Sequence, residues 1–149
     1  MQPNADKYIQ FIKQLKFSSI YVENIKAKRI PHIEFVEGAY TDFKLIKKGY
    51  EKISGNSWKV NTTLQFSAYT NKPRKNIIDI TAKFVAIYES KIEFDDEIFD
   101  IFSSSNLMLN LWPYYRELFQ SMTLRMGLPP YILPPLYLIP DKKSEEEKS

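Results

Sequence analysis

The sequence contains no cysteine, four glycines and a single histidine, and these shortages exclude several kinds of site. Without cysteine, neither a disulfide framework nor a thiolate zinc site can form. Four glycines are too few to build a phosphate-binding loop of the usual form. His32 lies beside Pro31 in a predicted connection, where no nucleophile or orienting carboxylate is placed to work with it. The sequence therefore predicts a protein that is not an enzyme and that needs no metal or other cofactor.

Long apolar runs are also missing. No stretch approaches the roughly 20 apolar residues that a membrane-spanning helix needs. The first residues, Met1 to Asp6, lack the basic and apolar regions of a secretory signal. The net charge of +3 is small and does not by itself indicate a nucleic-acid partner. We therefore expect a cytoplasmic protein that does not insert into membranes.

Apolar and aromatic side chains are abundant, at 44% and 15% of the residues. A chain of 149 residues fits one domain, and some of its rings exceed what a small monomer buries. Residues 141–149 are polar and lack apolar anchors, so we expect a disordered tail. The predicted organisation is a short N-terminal helix within residues 1–16, a domain over residues 17–140, and the tail.

Hydrophobic periodicity predicts the order helix, four strands, two helices. The first helix is predicted over residues 6–16, and the strands over residues 17–28, 40–53, 58–69 and 76–89. The third strand alternates most clearly, from Trp58 to Ala68, and in the first strand Tyr21, Val22 and Ile25 are the expected core anchors. Short turns between strands indicate an antiparallel meander. The predicted fold class is α+β, a four-stranded antiparallel meander sheet with helices packed on one face.

Two helices are predicted after the strands. Asp95, Asp96 and Glu97 are placed to cap a short helix, and capping is a commoner role for crowded acids than metal binding. A longer helix follows, with Pro113 expected in its first turn. Gly127 is expected to end that helix in the left-handed conformation, and the prolines that follow prevent its continuation. The apolar stripe of the long helix is Leu111, Tyr115, Leu118, Met122 and Met126.

Two apolar segments fall at or beyond the ends of the predicted strands and helices. The first connects the first two strands and enters the second strand, with Ile30, Ile33, Phe35, Val36, Tyr40, Phe43 and Leu45. The second follows the long helix and is kept extended by its prolines, with Tyr131, Leu133, Leu136 and Tyr137. Bulky apolar groups in such places either pack locally or line a groove, and the residues alone slightly favour local packing.

Basic residues in the strands and turns suggest an alternative function, a nucleic-acid-binding sheet. These residues are Lys44, Lys47, Lys48, Lys59, Lys72, Arg74, Lys75 and Lys83. With exposed tyrosines they could form a basic face with stacking platforms. Lysines on solvated faces also confer solubility and prevent edge pairing, and that interpretation is preferred. Only a contiguous basic face would favour the alternative.

The long helix carries a recognisable signature. From Asn110 the chain reads Asn-Leu-Trp-Pro-Tyr-Tyr-Arg-Glu-Leu, and it closes at Gly127-Leu-Pro-Pro. This unit resembles the main helix of the SecB protein-export chaperone family, which begins with Phe/Tyr-Pro-Tyr-x-Arg-Glu and ends in a Gly-x-x-Pro-like turn. The stretches 31–35 and 42–45 are similar to that family's crossover loop and second strand. The chain lacks the family's second long helix, and this ending is more similar to the SecB-like chaperones of toxin–antitoxin systems.

The resemblance implies an ATP-independent chaperone, a holdase that binds unfolded or export-bound polypeptides in hydrophobic grooves. Its alternative is a specialised chaperone for an antitoxin. In either case it places client binding at the two apolar segments and so reverses the preference for local packing. It also implies a homotetramer, a dimer of dimers, with interface residues Trp112, Tyr114, Tyr115, Phe119 and Met122.

The charge of the sheet departs from the family's pattern. The standard family presents an acidic sheet surface to the SecA motor. Here the faces predicted to be solvated carry Lys44, Lys48, Lys59 and Lys83. Because like charges do not dock well, polypeptide binding is the firmer expectation and hand-over to SecA the weaker one.

Overall fold

An antiparallel sheet with the strand order β1-β4-β3-β2 organises the computed structural model of the chain. The strands are β1 (Lys16–Arg29), β2 (Tyr40–Ser54), β3 (Ser57–Thr70) and β4 (Lys75–Glu89), and the helices are α1 (Pro3–Gln14), α2 (Asp96–Ser104) and α3 (Asn106–Arg125). The structure describes residues 3–30, 39–71, 73–134 and 136. These elements confirm the predicted α+β class, and each predicted strand agrees within one residue at both ends.

The chain forms two compact units, Met1–Ile101 and Phe102–Ser149. The first contains α1 and the whole sheet, and the second contains α3 and the segment that follows it. Among the described helices, none is long and apolar enough to span a bilayer.

The predicted meander holds for β2, β3 and β4, but β1 pairs with β4 at the opposite edge from β2. Arg29 pairs with Ile78, Ile78 with Ala68, and Ala68 with Thr41, so β1 ends and β2 begins at the same end of the sheet. The two edges are three strand spacings apart, about 14 Å. The connection of residues 30–39 is long enough to cross that distance, since an extended chain covers about 3.3 Å per residue. This crossover limits the meander to three strands.

Alternation along β3 and β4 gives the sheet two different faces. The apolar face holds the even-numbered residues from Trp58 to Ala68 and from Ile78 to Tyr88, all of them buried as predicted. The polar face holds the odd-numbered residues of the same strands, most of them half-buried. Removing the apolar face from water contributes most of the stability of the sheet, at about 25 cal/mol per Å².

β1 is an edge strand, and its predicted core anchors are exposed. Tyr21, Val22 and Ile25 are 48%, 38% and 40% exposed, so the expectation that they anchor the core is wrong. The register directs Val22 and Ile25 to the apolar face, opposite Phe84 and Ala82, and Tyr21 to the polar face. These side chains are exposed because an edge strand has a neighbouring strand on one side only, so its other side is not covered by the sheet.

Aromatic packing and a capping carboxylate connect α1 with the start of α2. Phe11 is fully buried and meets Phe94 edge-on, with ring centroids 4.8 Å apart. Asp95 accepts a hydrogen bond from the N–H of Ile98 at 2.8 Å and forms an ion pair with Lys7. The backbone hydrogen bond first, and Lys7 second, hold the pKa of the Asp95 carboxyl below its usual value. The predicted capping role is confirmed for Asp95.

α3 begins earlier than predicted. It starts at Asn106 and already buries Leu107 and Leu111, because the apolar stripe extends further towards the N-terminus. Pro113 therefore lies inside the helix, and its placement in the first turn is wrong. A proline there lacks the N–H that would bond to the carbonyl of Leu109.

The end of α3 is closed as the sequence predicts. Gly127 has φ 76°, and its N–H donates to the carbonyl of Leu124 at 3.1 Å. The N–H of Leu128 donates to the carbonyl of Thr123 at 3.0 Å. These two hydrogen bonds form only when residue 127 has a left-handed backbone conformation. Glycine adopts that conformation without a Cβ penalty.

Candidate functional site

The apolar face is incompletely covered along the edge strand β2. Phe43 pairs with Phe66 and Leu45 with Leu64, so both β2 side chains belong to the apolar face. Phe66 and Leu64 are buried, whereas Phe43 and Leu45 are only half-buried. We call Phe43 and Leu45 the β2 rim. It is a continuation of the core that remains partly accessible to another molecule.

The residues that flank the crossover lie at opposite edges of the sheet. Ile30 is half-buried, and its N–H donates to the carbonyl of Ile77 at 3.0 Å. Tyr40 is exposed and stacks on Tyr69, with ring centroids 5.8 Å apart. Because it pairs with Tyr69, Tyr40 belongs to the polar face and not to the face of the β2 rim. The other predicted client residues of the crossover lie outside the described residues; they are Ile33, Phe35 and Val36.

Two register shifts, at Ile46 and Ile53, interrupt the pairing of β2 with β3. An extra residue in one strand reverses the alternation beyond it. Lys48 therefore pairs with Thr62 and belongs to the apolar face, whereas Lys44 pairs with Gln65 on the polar face. The expectation that Lys48 shares the solvated face with Lys44 is wrong for this reason.

The far half of β2 is fixed by Tyr50. Its hydroxyl donates to Oδ1 of Asp96 at 2.7 Å, and its ring centroid lies 4.7 Å from that of Phe99 and 5.7 Å from that of Phe94. The hydrogen bond to Asp96, followed by burial, raises the pKa of Tyr50 to about 12. Asp95 therefore caps α2, and Asp96 orients Tyr50. Among the described residues, no group of three or more such side chains is arranged to hold a metal ion.

The second candidate surface belongs to the segment after α3, which returns along that helix. The N–H of Tyr131 donates to Oγ1 of Thr123, and Nε1 of Trp112 donates to the carbonyl of Pro134, both at 2.8 Å. Trp112 precedes Thr123 by about three helical turns. Residues 131–134 thus run antiparallel to α3, with Leu133 buried between these two anchors.

The predicted client residues of this segment differ in accessibility. Tyr131 and Leu136 are half-buried and remain partly accessible. Leu133 is 2% exposed, so its assignment to client binding is corrected, because the chain itself already covers it. Tyr137 lies outside the described residues.

The predicted interface residues of α3 also separate into two groups. Tyr114 is 41% exposed, and Trp112 and Met122 are half-buried. Tyr115 and Phe119 are fully buried within the chain, and their assignment to an interface between copies is corrected. Sequence reasoning missed Val22 and Ile25, which are accessible on the apolar face of β1. Alternation identifies their face, but only the strand order reveals that β1 is an edge.

By sequence, the chain matches no protein-family model and none of the curated proteins. By structure, it is similar to a SecB-like chaperone from Mycobacterium tuberculosis, solved in complex with a ChAD peptide from the HigA1 antitoxin. The TM-score is 0.74 at 16% sequence identity, over 87% of this chain and 95% of that chain. A protein of unknown function from Streptococcus agalactiae has a TM-score of 0.47 and 12% sequence identity, over 81% of this chain and 97% of that one. The first likeness confirms the fold that the signature helix predicted: the chain has the fold of the SecB-like chaperones.

Proposed function

We propose that this protein is a nucleotide-independent chaperone that binds unfolded polypeptide segments through its apolar surface. The observation that carries the proposal is the SecB-like fold, shared over 87% of the chain with a chaperone whose solved structure holds an antitoxin peptide. The β2 rim supports it, because Phe43 and Leu45 leave apolar area accessible beside the buried core.

Apolar burial supplies the free energy for such binding without ATP. Covering apolar area is favourable by about 25 cal/mol per Å². A client segment must also lose conformational freedom when it is held, so one side chain is too little and several contacts are required. Specificity is then for exposed apolar stretches, which slow-folding chains present for longer.

Among possible clients, we favour an aggregation-prone segment of an antitoxin. Residues 131–134 lie extended along α3, and Leu133 and the carbonyl of Pro134 are already engaged there. A surface with few accessible apolar groups buries little area per client residue. A few well-matched aromatic or aliphatic anchors then dominate the affinity, which favours a preferred partner over arbitrary chains.

General protein export is the alternative. It would require hand-over to SecA, which in the standard family docks on an acidic sheet surface. The polar face of this sheet carries Lys44, Lys59 and Lys83 instead. Lys59 pairs with Glu51 and Lys83 with Glu23, so Lys44, which makes no ion pair in the described part of the chain, is the one that disfavours contact with a basic partner. The proposal therefore consists of client binding and does not include SecA as a partner.

We propose a homo-oligomer, a dimer of dimers, as the working form. Leu109, Tyr114 and Leu124 are exposed on α3, and Val22 and Ile25 are exposed on β1. Exposed apolar groups of this number favour association, and an open edge strand is a template for pairing with another chain.

Suppression of aggregation tests the proposed function. The protein should keep a chemically denatured substrate soluble without nucleotide. The double variant Phe43→Ser, Leu45→Ser should require about tenfold more protein for the same effect, as expected when about 1.4 kcal/mol of binding free energy is lost. The matched control is Ile53→Ser, an exposed position on the same strand away from the rim, which should suppress aggregation normally. A rim variant of normal oligomer mass and normal suppression would refute the proposed surface.

A further inference from the structure

The polar face of the sheet carries a band of basic and neutral polar residues that the proposed client surface does not use. Two neighbouring rows across all four strands make up this basic band. In the order β1, β4, β3, β2, the first row is Lys26, Thr81, Gln65 and Lys44, and the second row is Asn24, Lys83, Thr63 and Lys47. Neither row contains an acidic residue.

Most of the positive charge in the basic band makes no ion pair in the described part of the chain, and the acids of the polar face next to the band, Asp42 and Asp79, lie in the row beyond the first. Lys83 is neutralised by Glu23, which lies at a register shift of β1, with 2.6 Å between Nζ and Oε2. Lys26, Lys44 and Lys47 are exposed and make no ion pair with any residue in the described part of the chain. Three free lysines therefore project from one face of the sheet.

The spacing of these lysines matches an extended polypeptide. Lys26 and Lys44 are separated by three strand spacings, about 14 Å, and the rows of Lys44 and Lys47 are about 7 Å apart. In an extended chain, side chains on the same side repeat about every 6.8 Å. The first separation runs across the strands and the second along β2, so a straight extended segment matches one of them: acidic residues four apart match Lys26 and Lys44, or acidic residues two apart match Lys44 and Lys47. The hydroxyl and amide groups between the lysines are available to hydrogen-bond a bound backbone.

We propose that the basic band docks an acidic, extended segment of a partner polypeptide, separately from the apolar surface that holds clients. Charge complementarity is the physical basis, since opposite charges across an interface guide association and exclude partners of the wrong sign. The proposal goes beyond the chaperone function and does not depend on it, because the β2 rim lies on the other face of the sheet.

Single-stranded nucleic acid fits this face less well, because it binds by stacking bases on aromatic rings as well as by charge. The ring of Tyr69 is already engaged by Tyr40, at 5.8 Å, and by the guanidinium of Arg74, at 3.8 Å from the ring centroid. Tyr21 is exposed but lies on the edge strand beyond the second row. The basic band therefore offers positive charge without a row of aromatic rings on which bases could stack.

Fluorescence anisotropy with a labelled peptide of alternating glutamate and serine tests the proposal on the full chain at low salt. The test variant combines Lys26→Gln, Lys44→Gln and Lys47→Gln. The control combines Lys13→Gln, Lys48→Gln and Lys91→Gln, which removes the same charge from exposed positions elsewhere. The test variant should bind at least about tenfold more weakly, and the control should change by less than about twofold, because each exposed pair contributes little alone but three act together.

Several results would overturn the proposal. Equal weakening in both variants would mean that the peptide senses net charge and not the band. If the unmodified protein did not measurably bind the peptide at low salt, the proposal would also be wrong. If a single-stranded oligonucleotide of equal charge bound more tightly than the peptide, and lost that binding in the test variant, the band would be a nucleic-acid site instead. Aggregation suppression should be unchanged in the test variant, so failure here is distinguishable from failure of the chaperone function.

Discussion

The carboxylate of Asp95 shows how one residue sets the response of the first unit to acid. It accepts the N–H of Ile98 and pairs with Lys7, which together lower its pKa. Because its pKa is lower in the folded state than in the unfolded state, Asp95 stabilises the fold above about pH 4, and this contribution disappears as the pH falls through the folded pKa.

Asp95→Ala should lower the free energy of unfolding by about 1 kcal/mol at neutral pH, the usual cost of losing an N-cap. The difference from the unmodified protein should begin to shrink below about pH 4 and should disappear as the pH falls through the lowered folded pKa of Asp95, where the cap loses its charge. Denaturant titrations at several pH values measure both effects. Glu97→Ala, in the same helical turn, should cost less. An Asp95→Ala penalty independent of pH would contradict the assigned role.

Tyr50 sets a corresponding limit at alkaline pH. The hydrogen bond to Asp96 and burial raise its pKa to about 12. Its neutral form is therefore favoured in the folded state, and the stability that it provides is complete below the unfolded pKa of about 10 and is lost as the pH rises towards 12. Tyr50→Phe should remove part of the loss of stability between these pH values, measured by thermal unfolding. An identical alkaline decline in both proteins would be evidence against this coupling.

At the scale of whole elements, the closure of α3 depends on a left-handed residue. Gly127→Ala should lower the free energy of unfolding by about 1 kcal/mol, because an L-residue with a side chain resists φ 76°. Gly49→Ala is the matched control, since an added Cβ would meet only the side chain of Asn61 at an ordinary 3.5 Å. Urea titration of both variants gives the comparison. Equal losses would mean that backbone conformation at Gly127 is not the cause.

The elements show which parts of the fold are encoded locally. The alternation from Trp58 to Ala68 and the stop at Gly127 depend on neighbours in sequence, and both were predicted correctly. The position of β1 depends on its pairing with β4, a long-range contact that periodicity does not contain, so the sequence pattern does not reveal that Val22 and Ile25 are exposed. The register shift at Ile46 escaped prediction in the same way and reversed the face of Lys48.

The candidate surface was predicted less completely than the fold. The apolar character of Phe43 and Leu45 is visible in the sequence, but their partial exposure follows from β2 being an edge strand. Leu133 and Phe119 have the same apolar character, but the chain itself buries their side chains. Residue type alone cannot separate an accessible apolar group from a buried one, because both are selected for the same hydrophobic chemistry.

At the scale of the whole molecule, the proposed assembly predicts a solution mass of about four times that of the monomer. Val22→Lys combined with Ile25→Lys should reduce this mass, because charge on an edge strand opposes pairing with another chain. Ile9→Lys, at an exposed apolar position on α1, is the control and should leave the mass unchanged. Light scattering at micromolar concentration distinguishes these outcomes. A stable monomer of the unmodified protein would exclude the assembly.

Site-specific photo-crosslinking tests most directly whether unfolded chains contact the β2 rim. A photoreactive phenylalanine derivative placed at position 45 or, as a control, at position 53 reports which molecule lies within reach on the same strand. We expect an unfolded client, and an aggregation-prone antitoxin segment above all, to crosslink at position 45 without nucleotide and not at position 53. Equal crosslinking at both positions, or none at position 45 while aggregation is still suppressed, would contradict the proposed function of this surface.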